Sequence, residues 1–330
     1  MKKFKWFNVL IVVCLVTLLA ACQNPLTMLL GDREDLDVSL IIDHGEHAQD
    51  GMRETVLYYR DEKGMLIPVM KKIPWEEGIA RGALRKLVDE EFLREDLQAV
   101  GLLPILPEDT EVIGISINDG LSKVDFNEKL LNYATEVEEQ AIVQSIVYTL
   151  TEFESIDQVQ ILVNGEVLNQ LKFGTRVDLP LQRENINLSG IIDDNNIPVV
   201  VYYKSTNNGM DSYYVPVTKR IQGLKVDIKS AIVAQLEGAP EGSGLYSELP
   251  EGVLVNDVFV KEGIAYIDFT AEIKRMPNNK DLQQSLVYEL GFTLKEIEPS
   301  ISQVRILSGG SEIELSSGVN LNLPSYTNPF

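Results

Sequence analysis

Apolar and polar positions along this chain change period in a fixed order, and that order occurs twice. In the first stretch, residues 56–59, 66–73, 112–117, 121–126 and 159–163 alternate or are rich in β-branched and aromatic residues. They predict strands. Between them, residues 76–93 place Ile79, Ala83, Leu84, Leu87, Val88 and Phe92 on one helical face. Residues 136–153 do the same with Ile142, Ile146, Leu150 and Phe153. Turn residues separate the elements, at Asp61-Glu62-Lys63-Gly64 and at Asn118-Asp119-Gly120, where Asn and Gly tolerate positive φ. The second stretch repeats the scheme. It predicts strands at 199–203, 213–217, 253–260, 264–269 and 304–307, and helices at 225–236 and 281–294. The order is ββαββαβ, twice. Strands adjacent in sequence pair as hairpins, so the expected class is α+β, with mostly antiparallel or mixed sheets and helices on one face.

Individual residues repeat as well. Tyr58-Tyr59 returns as Tyr202-Tyr203, Leu106-Pro107-Glu108 as Leu249-Pro250-Glu251, and Val124-Asp125-Phe126 as Ile267-Asp268-Phe269. Gln144-Ser145-Ile146-Val147-Tyr148 returns as Gln284-Ser285-Leu286-Val287-Tyr288, and Val159-Gln160-Ile161-Leu162 as Val304-Arg305-Ile306-Leu307. Both copies leave through Leu-Pro, at Leu179-Pro180 and Leu323-Pro324. The separations run from 140 to 145 residues. Each copy is the size of a domain, too long for a solenoid repeat. The boundaries read as domain 1 at 56–182, a connector at 183–198, domain 2 at 199–325 and a tail at 326–330. The scattered apolar residues of 172–198 predict that part of that stretch packs on a domain.

The N-terminus predicts export. Lys2, Lys3 and Lys5 precede an apolar run at 9–20, and Leu19-Ala20-Ala21-Cys22 closes it. The run is short for a membrane span. A small-residue pair before Cys resembles the lipobox of bacterial lipoproteins, which implies a lipid on Cys22 and a signal at 1–21. A plain secretory signal and an uncleaved anchor helix are the alternatives. Residues 22–55 are acidic and read as a tether, with one apolar patch at 38–42. Cys14 and Cys22 are the only cysteines, so the expected mature domains rely on their cores rather than on disulfides. The net charge is −21, and losing the signal with its three lysines takes it to −24. That balance argues against nucleic acid and against adsorption to anionic head groups, which leaves anchoring to the lipid. Solubility explains the acidity, and attraction to a basic partner is the functional alternative.

Taken as an ordered set present twice, these motifs resemble the GerMN domain family. They are the aliphatic-Tyr-Tyr strand, Leu-Pro-Glu, the aliphatic-Asp-Phe strand end, the Gln-Ser helix and the closing Val-x-Ile-Leu strand. The resemblance spans about residues 56–325. It implies an envelope lipoprotein of spore-forming bacteria, serving sporulation or germination, that supports assembly of an apparatus at the membranes between mother cell and forespore. The αββαβ core is also similar to the ring-building modules of secretion and sporulation channels. The family brings no catalytic residues.

The residues themselves offer little chemistry. His44 and His47 are the only histidines and lie in the tether, where solvated linker residues explain them better than a metal pair. Without further His or Cys, a Ser-His or Cys-His mechanism is excluded from the domains. Asp125 and Asp268 repeat at strand ends. They read as turn or cap residues before Asn127 and Thr270, with a carboxylate pair as the catalytic alternative. Tyr148 and Tyr288 read as equivalent packing residues, and one of each Tyr58-Tyr59 and Tyr202-Tyr203 pair is expected to face outward as an interface residue. No calcium loop, phosphate loop or cofactor motif occurs. Three readings remain. A non-enzymatic protein binds envelope or sporulation-channel proteins, a lipoprotein holds a solute between its two domains, or a hydrolase uses carboxylates. The surface that distinguishes the copies is expected in the loops at 94–106 and 204–212.

Overall fold

The computed structural model describes residues 51–74, 78–189, 196–207, 211–223 and 225–329. The expected signal, Cys22, His44, His47 and the patch at 38–42 lie outside the described residues. Module 1 opens with the antiparallel strands β1 (Met52–Asp61) and β2 (Leu66–Pro74), paired from Met52↔Pro74 to Arg60↔Leu66. Two short helices follow, α1 (Ile79–Arg85) and α2 (Glu91–Ala99), and then β3 (Leu102–Leu103), which pairs with the far edge of β1. The antiparallel strands β4 (Val112–Asn118) and β5 (Leu121–Phe126) come next. Helix α3 (Glu136–Leu150) crosses over to β6 (Gln158–Val163), which runs parallel to β5. Module 2 has the hairpin β7 (Asn196–Asn207) and β8 (Asp211–Gln222), then helix α4 (Ile228–Leu236). Strands β9 (Val255–Lys261) and β10 (Ile264–Phe269) precede helix α5 (Lys280–Lys295). Strand β11 (Gln303–Ser308) is parallel to β10, and β12 (Ser311–Glu312) pairs with β11. The ββαββαβ order is therefore kept in both modules, with a second short helix and β3 added in module 1 and β12 added in module 2. Each module has one antiparallel hairpin and one mixed sheet. The long helix packs against both, α3 on β1 and β6, α5 on β7 and β11.

Local chemistry explains the elements. In β5, Ser122, Val124 and Phe126 are buried while Lys123 points out, as a two-residue period requires. Helix α3 starts with a capping box, Thr135 accepting from the Glu138 N–H and Glu138 returning the bond. Asn279 caps α5 by accepting from the N–H groups of Asp281 and Leu282.

Several sequence expectations are corrected. Strand β1 begins at Met52, inside the stretch read as a tether. The single helix expected at 76–93 is two, because the backbone at 87–89 leaves the helix and pairs with the loop. The Leu87 carbonyl accepts from Ile105 N at 3.2 Å and Leu106 N at 3.0 Å, and Asp89 N donates to Leu106 O at 2.9 Å. Phe92, expected on the apolar face, is consequently 75% exposed. The loop at 94–106 holds most of α2 and all of β3. Residues 204–207 and 211–212 belong to the hairpin, with Lys204 and Ser205 buried.

The core is shared between the modules. One cluster runs from module 1 through Val201, Tyr203, Val215 and Val217 of the β7–β8 hairpin to Ala231 and Ala234 of α4. A second cluster lies under the mixed sheet of module 2. Where the hairpins meet, two asparagines bridge β2 and β8. Asn187 donates from Nδ2 to the carbonyls of Leu66 and Pro216, both at 2.8 Å, and its Oδ1 accepts from Leu66 N at 2.8 Å. Asn328 donates to the carbonyls of Pro68 and Tyr214, both at 2.8 Å, and accepts from Tyr214 N at 2.8 Å. Pro68 faces Tyr58 and Pro216 faces Tyr202 in their hairpins, so Leu66 and Tyr214 are equivalent positions. The two asparagines are thus related by a pseudo-twofold axis. Their φ values, 46° and 51°, lie in the left-handed region that Asn tolerates better than most residues. Main-chain bonds flank them, Met70 N to Asn328 O and Thr218 N to Ile186 O. Asn187 comes from the segment read as a connector. Asn328 comes from the expected tail and is 4% exposed.

Each side chain satisfies three peptide groups at once, so truncation strands them in a seam that is buried at Asn328 and half-buried at Asn187. Asn328→Ala and Asn187→Ala are each expected to lower unfolding stability by about 2–3 kcal/mol. Asn328→Asp is expected to cost more, since a carboxylate replaces the donor facing two carbonyls. Denaturant titration checks this, and a change below about 0.5 kcal/mol for the alanine variants contradicts it.

Candidate functional site

The paired tyrosines do not divide between core and surface. All four are buried, Tyr58 at 6% and Tyr202 at 7% exposure, because the second face of each hairpin lies against the long helix and the seam. Tyr59 donates its hydroxyl to Lys86 O at 2.8 Å, and Tyr203 donates to Gly238 O at 2.7 Å. At the seam, Tyr58 donates to Glu152 Oε1 at 2.8 Å and Tyr202 to Glu296 Oε1 at 2.9 Å. A cation lies beside Tyr58. Arg183 pairs with Glu152, donates from Nε to Thr151 Oγ1 at 2.7 Å, and stacks its guanidinium 4.9 Å from the Tyr148 ring centre. Burial and, after it, the neighbouring glutamates push the Tyr58 and Tyr202 hydroxyls well above their ordinary range. Each hydroxyl acts as a donor to the glutamate at the end of its own module's long helix.

Tyr148 and Tyr288 are not equivalent. Tyr58 N donates to Thr149 Oγ1 at 3.2 Å, and Tyr202 N donates to Thr293 Oγ1 at 2.9 Å. The helix caps, Thr135 and Asn279, have the same separation. Tyr148 therefore corresponds to Phe292, and each rests on its seam tyrosine, Tyr148 5.1 Å from Tyr58 and Phe292 5.6 Å from Tyr202. The Gln-Ser motifs sit one turn apart on equivalent helices. A four-residue slip is close to one turn of 3.6, so the apolar stripe does not reveal it.

Asp125 and Asp268 act as turn residues, with partners other than those expected. Asp125 Oδ1 accepts from Gly165 N at 2.8 Å and Asp268 Oδ1 from Gly310 N at 3.1 Å. Each carboxylate ties the turn after the neighbouring parallel strand, where the glycines have φ of 80° and 77°. Each therefore serves its own module.

The titratable cluster that sequence reading missed lies in module 2. Lys204, 5% exposed, donates from Nζ to Glu248 Oε1 at 2.9 Å and to Ser285 Oγ at 3.0 Å, beside the Tyr246 ring. Glu289, fully buried, accepts from Gln235 Nε2 at 2.9 Å. Gln235 also donates to Tyr202 O at 3.1 Å, which links the cluster to the seam tyrosine. Module 1 places Arg60, Ile105 and Ser145 where Lys204, Glu248 and Glu289 stand. There Ser145 reaches Tyr58 O directly at 2.6 Å. Those mismatches between copies are the signal that points to the cluster. Among the described residues, no group of three His, Cys, Asp or Glu side chains is placed to hold a metal ion, and no helix is long and apolar enough to cross a membrane.

Burial raises the Glu289 carboxyl from 4.5 to about 7, against the opposing bonds from Ser247, Gln235 and Glu248. Below pH 4.5 folded and unfolded chains both hold this proton. As pH rises towards 7 only the folded chain keeps it, so this group's contribution to stability falls over that window and then levels off. The loss amounts to about 3 kcal/mol. Glu289→Gln is expected to remove that slope, read as the difference between the two proteins' denaturation midpoints from pH 4.5 to 7.5. Parallel pH profiles contradict it.

Residues 56–169 and 200–314 each match the Germane family, described as "Sporulation and spore germination". The chain is 34% identical over 283 residues to the spore germination protein GerM of Bacillus subtilis (strain 168), covering 83% of this chain and 76% of that protein. It is also similar to the solved structure of the tandem GerMN domains of the sporulation protein GerM from Bacillus subtilis. There the TM-score is 0.71 at 31% identity, over 84% of this chain and 99% of that one. The chain thus belongs to the Germane family of sporulation and spore germination proteins, as a GerM-like member with two tandem GerMN domains.

Proposed function

We propose that this protein is a non-enzymatic, lipid-anchored assembly factor of the sporulation or germination envelope. It is held at the extracytoplasmic face of the cell membrane by a lipid on Cys22, and it binds envelope or sporulation-channel proteins through its two domains. One observation carries the reading. The repeated polar side chains Tyr58 and Tyr202, Asp125 and Asp268 are spent on glutamates and turns of their own modules. A body built this way offers fixed surfaces to partners. The competing solute-binding reading needs an open cleft between the domains. Among the described residues, Asn187 and Asn328 tie the two hairpins together there and Tyr58 and Tyr202 are buried, which supports the assembly reading over it.

The anchor is tested by Cys22→Ala, which is expected to shift the protein from the membrane fraction to the soluble fraction. Retention at the membrane contradicts the lipid anchor. The assembly role is tested by deleting the gene and following the localisation of envelope and channel proteins during sporulation, together with crosslinked pull-downs. Unaltered localisation and no specific partner contradict it.

A further inference from the structure

The two copies treat the outer side of their long helix differently. In module 2 the exit segment closes onto α5. Gln284 accepts from Asn320 N at 2.6 Å and donates to Asn320 O at 2.7 Å. Leu323 lies against Gly291, so close that a Cβ there has no room. In module 1 the exit segment pairs with β6 as its counterpart pairs with β11, Val159 N donating to Leu181 O and Val304 N to Leu321 O. Leu181 therefore stands for Leu321, Pro180 for Asn320 and Arg183 for Leu323, so the Leu179-Pro180 and Leu323-Pro324 pairs expected to be equivalent are four residues out of step. On the helices, Gln140 stands for Gln284 and Val147 for Gly291.

Every one of these exchanges undoes the closure. Pro180 has no N–H for a glutamine to accept. Val147 fills the notch that Gly291 leaves open. Arg183 is engaged with Glu152 and Tyr148. Gln140 donates instead to Glu136 at 3.1 Å along its own helix. The result is a slot of about 380 Å³ between α3 and the exit segment. Its walls include Val143, Val147 and Leu181, and its rim carries the amides of Gln140, Gln144 and Gln182. Of the two charged residues at the slot, Arg176 is paired with Asp178 at 2.7 Å and Glu184 is exposed to solvent. Leu179, two residues before Leu181, is 64% exposed.

We infer that this slot receives an extended, uncharged peptide segment of a partner protein, its backbone read by the glutamine amides and an aliphatic side chain seated over Val143 and Val147. The occupant's chemistry comes from module 2, where the chain's own 319–323 segment meets a glutamine amide with its backbone and the helix with a leucine. A primary amide pairs with a peptide group as donor and acceptor together, without charge. The inference rests on the assembly reading above and places its contact on module 1.

The test uses the mature chain and a fluorescently labelled peptide of this protein's own residues 318–324, capped at both ends. Anisotropy is expected to show saturable binding with Kd below about 1 mM, as a short peptide with one anchor gives. Gln144→Arg, which blocks the slot from its half-exposed rim, is expected to weaken binding at least about tenfold with the unfolding midpoint unchanged. Phe259→Ala, on the exposed sheet face of module 2, is expected to leave binding unaltered. No saturable binding, binding indifferent to Gln144→Arg, or binding lost with Phe259→Ala overturns the proposal. Self-association of the chain that the peptide reverses and Gln144→Arg abolishes makes a second copy the occupant, and overturns it too. Should the peptide fail while pull-downs still return an envelope partner, the slot is wrong and the assembly reading stands. Should the peptide bind while gene deletion leaves envelope assembly intact, the assembly reading falls instead.

Discussion

A strand at the edge of a sheet leaves a row of peptide groups without partners, and the whole molecule is arranged around how two such edges are satisfied. Strands β2 and β8 meet across the pseudo-twofold axis, bridged by side chains instead of a continuous ladder. Asn187 and Asn328 stand between them, each carrying a donor pair and an acceptor that match three peptide groups. The segments that deliver these asparagines are the exits of the two copies. Each module's exit therefore folds back to close the joint, and the shared apolar cluster completes it. Duplication alone gives two beads on a string. The asparagines turn them into one body.

Much of this was legible in the sequence, and the failures have definite causes. Strands β4, β5, β10 and β11 and helix α5 lie within a residue or two of the positions predicted from apolar periodicity, and α3 starts where expected and ends three residues early, because local pattern and burial agree there. The break between α1 and α2 was not legible, since Leu87 and Val88 keep helical spacing while their backbone pairs with Ile105 and Leu106 across the loop. The helix register was misread for a geometric reason, a four-residue slip being nearly one turn. The outward tyrosine expected in each hairpin rested on one face being wet, and the seam dries it. Asn187 and Asn328 sit in polar segments whose composition says only loop. Nothing local marks a side chain whose partners are 121 and 260 residues away.

The differences between the copies carry more functional information than their likenesses. The repeated residues build cores, caps and turns. Where the copies diverge, module 2 gains a buried Lys204–Glu248 pair with Glu289 beside it, and module 1 keeps an open slot along α3. A protein that acts by presenting surfaces has freedom to vary one copy while the other preserves the frame. The chain is a GerM-like member of the Germane family with two tandem domains alike in fold.

The central claim is that the tandem domains form one folding unit, welded at the asparagine seam. Differential scanning calorimetry of the mature chain tests it most directly. The account predicts a single transition whose van't Hoff and calorimetric enthalpies agree, as for one cooperative unit. Two separable transitions, or a calorimetric enthalpy about twice the van't Hoff value, contradict it and return the protein to two independent beads.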